Sequence, residues 1–254
     1  MRTIGVIPAR MGSSRFPGKP LALLHGIPML GHVYFRTRLN RRLAATYIAT
    51  CDQEICRYAS EIGAPCIMTS PSHERASDRT AEAAASIDAL GAAPIDVVVM
   101  IQGDEPMVRP EMLDEALDPL DRDPAVQVVN LMAALDPNAA ADANEIKVVV
   151  ARNGDALYFS RHAVPWHRAP GTADMFKQVC IIPFRREFLT RFAALEPTAL
   201  ERAESIDMLR ALEHGYPIRM VRTAHATTSV DTPEDLARVE ALMRGDHLFA
   251  SYGG

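Results

Sequence analysis

The sequence predicts an α/β fold built on a mostly parallel β-sheet, with a smaller α+β insertion. Short apolar, β-branched segments alternate with segments of helical spacing, which is typical of βαβ units. One of the apolar segments, residues 95–102 (IDVVVMIQ), is apolar almost throughout, as expected for a central strand covered on both faces. The 254 residues suffice for one full core and a smaller lobe.

The first half of the chain contains most of this alternation. The predicted strands are residues 3–8, 46–50, 65–69, 95–102 and 126–133. The predicted helices are residues 29–41, 53–63 and 79–91. The first helix places Leu30, Val33, Tyr34 and Thr37 on one face, and the other two end at a glycine.

From about residue 134 the alternation loosens. The predicted elements there are strands at 146–151, 156–160, 178–184 and 217–223 and helices at 186–195 and 199–215. A last helix is predicted at 232–244, with Thr232 as its N-cap and Pro233 at its first position. We therefore predict a single domain over residues 1–254 with an insertion at 134–200, of the kind that pairs subunits or covers an acceptor.

Composition excludes several classes of protein. The net charge of −5 gives no support for a nucleic-acid binder, and no apolar run is long enough to span a membrane. The N-terminus does not resemble a signal peptide, so we expect a cytoplasmic protein. The spacing of Cys51, Cys56, Cys66 and Cys180 fits no zinc site, and we expect these residues to be buried small hydrophobic side chains.

A basic, glycine-containing loop follows the first predicted strand. Residues 6–21 (VIPARMGSSRFPGKPL) contain Arg10, Arg15 and Lys19 together with two glycines. A loop at the carboxyl edge of an α/β sheet is a common ligand site, and cations beside permissive backbone suit phosphate. The spacing matches neither a Walker loop nor a dinucleotide fingerprint. The alternative is a solvated basic turn.

Two aspartates are candidate metal ligands. Asp104, in QGDEP, follows the predicted central strand, and Asp231 precedes the last predicted helix. Two carboxylates that converge on a triphosphate suit Mg²⁺, which binds few carboxylates plus phosphate oxygens. Alternatively, Asp104 begins a turn and Asp231 caps a helix.

The loop resembles the family signature A-R-x-x-S-[ST]-R-x-P-G-K-P-L. Further matches, in the same order, are QGDEP, ALYFSRHAVPW (156–166), FRREFL (184–189), AESIDMLRALEHG (203–215) and VDTPEDL (230–236). Over nearly its whole length the chain resembles the CMP-Kdo synthetases, the 3-deoxy-manno-octulosonate cytidylyltransferases. This resemblance implies a Rossmann-like sheet of the nucleotide-diphospho-sugar transferase type and a homodimer.

The resemblance also implies a reaction, the Mg²⁺-dependent transfer of CMP from CTP to an acidic acceptor with release of pyrophosphate. It assigns catalysis to Arg10, Lys19, Asp104 and Asp231, with the two aspartates holding Mg²⁺. The residues implied to bind CTP are Ala9, Arg10, Ser14, Arg15, Lys19, Ser77, Arg79 and Gln102. Ala76 stands where members of the family usually have glycine, which weakens the prediction of base preference.

The acceptor segments depart from the family pattern. Gln178 and Ile182 stand where members usually have histidine and tyrosine, and Asp207 and Met208 replace a Glu-Gln pair. Arg161 is retained and could pair with an acceptor carboxylate. The candidate acceptor-binding residues are Arg161, Gln178, Ile182, Glu204, Asp207 and Met208.

These departures leave the acceptor open. A polyhydroxylated sugar would lose hydrogen-bond partners, which favours a smaller acidic acceptor such as the phosphonoformate of a phosphonate pathway. The alternative is a genuine CMP-Kdo synthetase for lipopolysaccharide synthesis in which the changes are tolerated. A non-catalytic nucleotide-binding protein would not need intact metal ligands, and ALYFSR and VDTPEDL argue against nucleotidyltransferases that use ATP, GTP or UTP.

Overall fold

The computed structural model describes residues 1–12, 15–91, 93–169 and 173–253. The predicted nucleotide ligand Ser14 lies outside these residues. The chain divides into two compact units. The first contains Met1–Asp114 and Thr227–Gly254, and the second contains Glu115–Ala226, a range that includes the predicted insertion at 134–200.

The described residues form an alternating succession of strands and helices. The strands are β1 (Thr3–Pro8), β2 (Leu23–Leu24), β3 (Ile27–Pro28), β4 (Leu43–Thr50), β5 (Cys66–Met68), β6 (Val97–Ile101), β7 (Val129–Ala134), β8 (Lys147–Val150), β9 (Ala156–Ser160), β10 (Phe176–Val179), β11 (Ile181–Arg185) and β12 (Arg219–Arg222). The helices are α1 (Met29–Thr37), α2 (Gln53–Glu61), α3 (Ala76–Ala89), α4 (Pro110–Arg122), α5 (Arg186–Ala193), α6 (Ala199–Glu204), α7 (Met208–Glu213), α8 (Pro233–Met243) and α9 (His247–Ala250), with 3₁₀ turns at Lys19–Leu21 and Pro137–Ala139. None of these described helices is long and apolar enough to cross a membrane.

The first unit is built on a parallel sheet in which β6, β1, β4 and β5 are neighbours in that order. All of β1 is buried, as expected for a strand flanked by others and covered on both faces. Because the strands are parallel, the segments that follow β1, β4 and β6 leave the sheet at the same edge. This arrangement brings together the loop after β1, Asp52 after β4 and Asp104 after β6.

The second unit has a mixed sheet in the order β12, β7, β10, β8 and β9. β12 runs parallel to β7, and the remaining pairs are antiparallel. β11 is joined to this unit by an antiparallel bridge between Val128 and Phe184. Phe184 packs with Phe188 and Phe192 of α5, which fixes that helix on the unit.

Most elements with strong periodicity are confirmed. β1 and β9 coincide with the predicted ranges. Leu30, Val33, Tyr34 and Thr37 of α1 are buried as predicted, although the helix is buried on nearly all sides and not on one face alone. Thr232 caps α8, because its side chain accepts the N–H of Asp235 and the carboxylate of Asp235 accepts the N–H of Thr232. The mixed α/β architecture predicted from the alternation is therefore the one observed.

Two predicted elements are wrong because each is divided. Residues 178–184 form parts of β10 and β11, with a break at Cys180, and do not form one strand. Residues 199–215 form α6 and α7, because Ser205 has a φ of 55° and ends the first helix in the left-handed conformation. Helix α4 was not predicted, since Pro119 inside it reads as a turn residue.

The expectation for the cysteines is also wrong. Cys56 of α2 and Cys66 of β5 form a disulfide, which ties the helix to the outer strand of the first-unit sheet. Both Cys51 and Cys180 are partly exposed. Sequence spacing gave no indication of the pairing, because the two half-cystines are brought together only by the packing of α2 against β5.

Candidate active site

A backbone hydrogen bond joins the two ends of the loop after β1, directly before Lys19. The N–H of Ala9 donates to Ala49 O (2.9 Å), and the N–H of Gly18 donates to Met11 O (3.2 Å). Gly18 has a φ of 75°, a conformation that favours glycine, and the 3₁₀ turn begins at the next residue. The hydrogen bond between Met11 and Gly18 therefore closes the loop at its base, and we call these two residues the neck of the loop. Lys19 follows the neck directly.

Asp52 holds this neck from the neighbouring strand. Its Oδ2 atom accepts the N–H of Met11 (2.7 Å), and its own N–H donates to Oγ1 of Thr50 (3.1 Å). Asp52 is not among the site residues that the sequence predicts. The available signal was an aspartate directly after a predicted strand, at the sheet edge that carries the loop.

Lys19 joins the two predicted metal ligands. Its Nζ atom lies 3.2 Å from Asp104 Oδ2 and 3.4 Å from Asp231 Oδ1, and it donates to Val230 O at 2.8 Å. The three charged side chains are only 14% to 24% exposed. The N–H of Val230 donates to Asp104 O (2.9 Å), so the backbone also joins the two acidic segments.

The other two cations of the loop differ in their surroundings. Arg15 donates to Asp231 Oδ1 at 3.0 Å and is half exposed. Arg10 is exposed and makes no hydrogen bond to another residue that the structure describes. The sequence predicts that Arg10, Arg15 and Lys19 lie together with Asp104 and Asp231. The structure joins Arg15, Lys19, Asp104 and Asp231 by ion pairs, and Arg10 takes no part in them.

The geometry of Asp104 and Asp231 fits a divalent cation such as Mg²⁺. One carboxylate oxygen of each residue lies within 3.4 Å of a single nitrogen, so the two side chains converge on one point. The described residues contain no group of three or more His, Cys, Asp or Glu arranged for a metal. A cation held here would take its remaining ligands from phosphate and water, which is the usual preference of Mg²⁺.

The predicted base-binding residues lie on α3 and are buried. Arg79 is 3% exposed and donates to Thr69 Oγ1, Ser70 O (3.4 Å) and His73 O (3.4 Å), so it shapes the segment before the helix. Ser77 is fully buried, and its Oγ has no hydrogen-bond partner among the described residues.

The other two predicted nucleotide contacts lie at strand ends. The N–H of Ala9 donates a hydrogen bond to the carbonyl oxygen of Ala49. Gln102 directly follows β6 and is partly buried.

Glu82 completes the segment around residues 69–73. It accepts the N–H of Ser70 (2.9 Å) and pairs with His73 Nε2. Burial raises the pKa of Glu82, but the hydrogen bonds from Ser70 and His73 lower it by more than burial raises it. The net pKa therefore lies below the ordinary 4.5. The carboxylate therefore stays charged at neutral pH and anchors the segment.

In the second unit, Glu204 organises the predicted acceptor residues. Its carboxylate accepts Ser160 Oγ–H (2.8 Å), Tyr158 O–H (3.3 Å) and the N–H of Arg161 (2.9 Å). Burial raises the pKa of Glu204, whereas these three donors lower it more, so the net pKa lies below 4.5. Glu204 is an ionised, fully oriented carboxylate.

The guanidinium of Arg161 is used within the second unit. Its Nε donates to Glu204 O (2.6 Å), Nη1 to Ala143 O (2.8 Å) and Nη2 to Ser205 O (3.4 Å). Its carbonyl accepts from Lys147 Nζ, an ammonium whose pKa is lowered by burial. Arg161 thereby holds several loop segments together, and its pairing with an acceptor carboxylate stays a prediction.

The remaining predicted acceptor residues are mostly internal. Gln178 is 9% exposed and donates from Nε2 to Asn130 Oδ1 (2.6 Å). Ile182 and Met208 are fully buried, and the structure places both in the packed interior and not at a surface. Asp207 is partly exposed at the start of α7.

Comparison with known proteins identifies the family. Residues 4–222 match a family model described as cytidylyltransferase. A 3-deoxy-manno-octulosonate cytidylyltransferase of Myxococcus xanthus (strain DK1622) is 44% identical over 244 residues, which cover 96% of this chain and 97% of the relative. The chain belongs to the CMP-Kdo synthetase family of cytidylyltransferases. A second relative with the same name, from Geobacter sulfurreducens, is 42% identical over 251 residues, with 94% of this chain and 98% of the relative covered.

Solved structures agree with this assignment. A CMP:2-keto-3-deoxy-manno-octonic acid synthetase complexed with CTP matches this cytidylyltransferase with a TM-score of 0.87 and 38% identity, over 96% of this chain and 99% of that one. A cytidylyltransferase from Leptospira borgpetersenii has a TM-score of 0.64 at 16% identity, covering 96% of this chain and 87% of that one, which shows the fold alone. The resemblance found in the sequence motifs is confirmed, and the protein is a nucleotidyltransferase.

Proposed function

We propose that this cytidylyltransferase transfers CMP from CTP to 3-deoxy-manno-octulosonate (Kdo) and releases pyrophosphate. The observation that carries the proposal is similarity over the full length: relatives that are 41% to 45% identical bear the name 3-deoxy-manno-octulosonate cytidylyltransferase. The convergence of Lys19, Asp104 and Asp231 supports it, because such a cluster suits a triphosphate with a divalent cation.

In this reaction an acceptor hydroxyl oxygen forms a bond to the α-phosphorus of CTP. The bond from that phosphorus to the bridging oxygen of the β-phosphate breaks, and its electron pair leaves with pyrophosphate. The hydroxyl proton passes to a base or to water. The step requires positioning and charge neutralisation more than covalent catalysis.

We assign the triphosphate to the loop cations. Arg10 is exposed and would bind a phosphate without breaking an ion pair in the described residues. Arg15 and Lys19 now neutralise carboxylates and would share their charge with the triphosphate once it binds. Together they would stabilise the negative charge that develops on the leaving pyrophosphate.

Asp104 and Asp231 would hold Mg²⁺ in the same place. When bound there, the ion supplies a Lewis acid that polarises phosphate oxygens and lowers the pKa of a coordinated hydroxyl. Backbone hydrogen bonds hold the two acidic residues in place: Asp104 O accepts the N–H of Val230, and the N–H of Asp231 donates to the carboxylate of Asp235.

A small phosphonate such as phosphonoformate is the second candidate acceptor. The apolar residues Ile182 and Met208, at sequence positions where the family pattern has polar groups, favour it. The names of the relatives favour Kdo over this candidate. The homodimer and the cytoplasmic location remain predictions from the sequence.

Pyrophosphate release distinguishes these proposals. The purified protein is supplied with CTP and Mg²⁺ and with Kdo, sialic acid or phosphonoformate as separate acceptors. We expect turnover with Kdo, its loss in Asp104→Asn, and unchanged turnover in Asp118→Asn, an exposed carboxylate paired with Arg122. Turnover with phosphonoformate and with neither of the other two acceptors would identify phosphonoformate, and not Kdo, as the acceptor. CTP binding without turnover of any acceptor would favour a non-catalytic role.

A further inference from the structure

Asp52 occupies a helix-capping position but does not cap the helix. It is the N-cap residue of α2, with the extended backbone (φ −106°, ψ 121°) that this position requires. Aspartate is among the residues preferred there, because its side chain accepts an N–H of the first turn. Here the side chain makes no capping hydrogen bond. Its Oδ2 atom accepts the N–H of Met11 instead, at 2.7 Å.

This hydrogen bond joins residues 41 positions apart in the chain. The backbone of Asp52 is itself held in place by a second hydrogen bond. The N–H of Asp52 donates to Thr50 Oγ1, and Thr50 is the last residue of β4, a strand paired with β1. Ionised acceptors make stronger hydrogen bonds to backbone N–H groups than neutral ones do. The carboxylate is therefore a firm anchor for the first residues of the loop.

Met11 transmits this anchor to Lys19. Its N–H is bound by Asp52, and its carbonyl accepts the N–H of Gly18. Gly18 turns the chain in the left-handed conformation, and Lys19 follows at once. Both backbone groups of Met11 are thus engaged, and the position of the neck determines where the Lys19 side chain begins.

We propose that Asp52 is a positioning residue for nucleotide binding, which holds the triphosphate loop through Met11 in place of capping α2. This inference rests on the proposed function, since it assumes that the loop binds CTP. Asp52 itself touches neither substrate nor metal in the proposal. It acts by ordering the backbone that presents Lys19.

Three substitutions separate loop positioning from helix stability. Asp52→Ser can cap α2 with its short side chain but does not reach Met11, Asp52→Ala does neither, and Asp52→Asn keeps an acceptor oxygen for Met11. We expect the KM for CTP to rise roughly tenfold in the serine and alanine variants, with a much smaller change in kcat. The asparagine variant should lie closer to the wild type. Asp52→Ser should melt at or above the wild-type temperature, because α2 gains a cap.

Glu54→Gln is the matched control, because it removes a negative charge from the first turn of the same helix without contacting Met11. We expect its KM for CTP to match the wild type. An Asp52→Ser variant with the wild-type KM would overturn the proposal, as would equal effects of Glu54→Gln and Asp52→Ala. Calorimetric titration of the wild type with CTP separates the two levels: no binding overturns the proposed function and this inference together. Wild-type binding with equal affinity in Asp52→Ser overturns this inference alone.

Discussion

The ammonium nitrogen of Lys19 lies 3.2 Å from Oδ2 of Asp104, and the same nitrogen pairs with Asp231. Two carboxylates that converge in a partly buried site would repel each other, and the ammonium compensates for this repulsion. Lys19 thus occupies the point on which both carboxylates converge, the point that would also attract a divalent cation. We therefore expect the Lys19 side chain to compete with a divalent cation for this point in the nucleotide-free protein.

Replacing Lys19 should therefore have opposite effects on metal binding and turnover. In Lys19→Met we expect the nucleotide-free protein to bind Mn²⁺ about tenfold more tightly, because a competing positive charge is gone. Turnover with CTP should fall sharply, since Lys19 is one of the cations proposed to bind the triphosphate. Titration with Mn²⁺ followed by electron paramagnetic resonance measures the affinity. Lys177→Met, which breaks a pair with Glu145 in the second unit, is the control. An unchanged Mn²⁺ affinity in Lys19→Met would refute the competition.

His32 should make the free energy of unfolding depend on pH below neutrality. The ring is fully buried, with Nε2 donating to Leu24 O (2.8 Å) and Nδ1 beside the hydroxyl of Tyr252 (3.0 Å). Burial lowers its pKa, and the nearby Arg36 lowers it further, although the Leu24 carbonyl opposes both. The folded pKa lies below the ordinary 6.5, so the unfolded chain takes up the proton first. The free energy of unfolding should fall as pH drops below about 6.5.

Urea titrations at pH 7.5 and 5.5 measure this loss. It should be smaller in His32→Gln and unchanged in His247→Gln, whose histidine is exposed. Ring resonances in NMR spectra supply a direct check that does not depend on a variant. A His32 ring that titrates at or above 6.5 in the folded protein contradicts the prediction.

Tyr58 should make Gly31 intolerant of any side chain. A Cβ at Gly31 would lie 2.0 Å from the hydroxyl oxygen of Tyr58, so Gly31→Ala should destabilise the protein by about 1–3 kcal/mol. The Tyr58 hydroxyl is buried without a partner among the described residues, and burial raises its pKa to about 12. Tyr58→Phe should therefore be neutral or stabilising.

The double-mutant cycle measures this relationship by chemical denaturation. Gly31→Ala should cost less in the Tyr58→Phe background, because the clashing oxygen is absent. Strictly additive effects would show that the clash with Tyr58 does not determine the cost.

Reduction of the Cys56–Cys66 disulfide should destabilise the first unit. The bond closes a loop with a sequence separation of 10 residues, and the chain-entropy model gives about 2–3 kcal/mol for a loop of this size. A reductant should lower the melting temperature of the wild type and of Cys180→Ser, which lies outside the bond. It should leave Cys56→Ser unchanged. A wild-type protein insensitive to reductant would show that the bond does not contribute.

Periodicity and local chemistry could be read from the sequence. The residues of β1 are apolar almost throughout, and the strand is buried as that pattern predicts. Thr232 and Pro233 specify the start of α8 through local capping. The motif around Asp104 and the one around Asp231 also indicated a shared site, because strand ends and helix starts meet at one edge of an α/β sheet.

Side-chain partners were beyond the sequence. The sequence around Arg161 does not indicate that its guanidinium donates to the carbonyl oxygens of residues 143, 204 and 205. Nor does the sequence around Arg79 indicate that it donates to His73 O, before its own helix. The breaks at Cys180 and Ser205 were missed because the apolar pattern continues through both. Burial of Ile182 and Met208 likewise depends on the packing of the second unit.

By itself the sequence determined the α/β class, the family and the loop that carries the cations, since these depend on residue type and order along the chain. Only the tertiary structure decided that Lys19 bridges Asp104 and Asp231 and that Asp52 reaches Met11. Those contacts join residues 41 to 212 positions apart. The parallel pairing of β1 with β4 and β6 brings Asp52 and Asp104 to the edge that carries the loop, and the hydrogen bond from the N–H of Val230 to Asp104 O brings Asp231 to the same place.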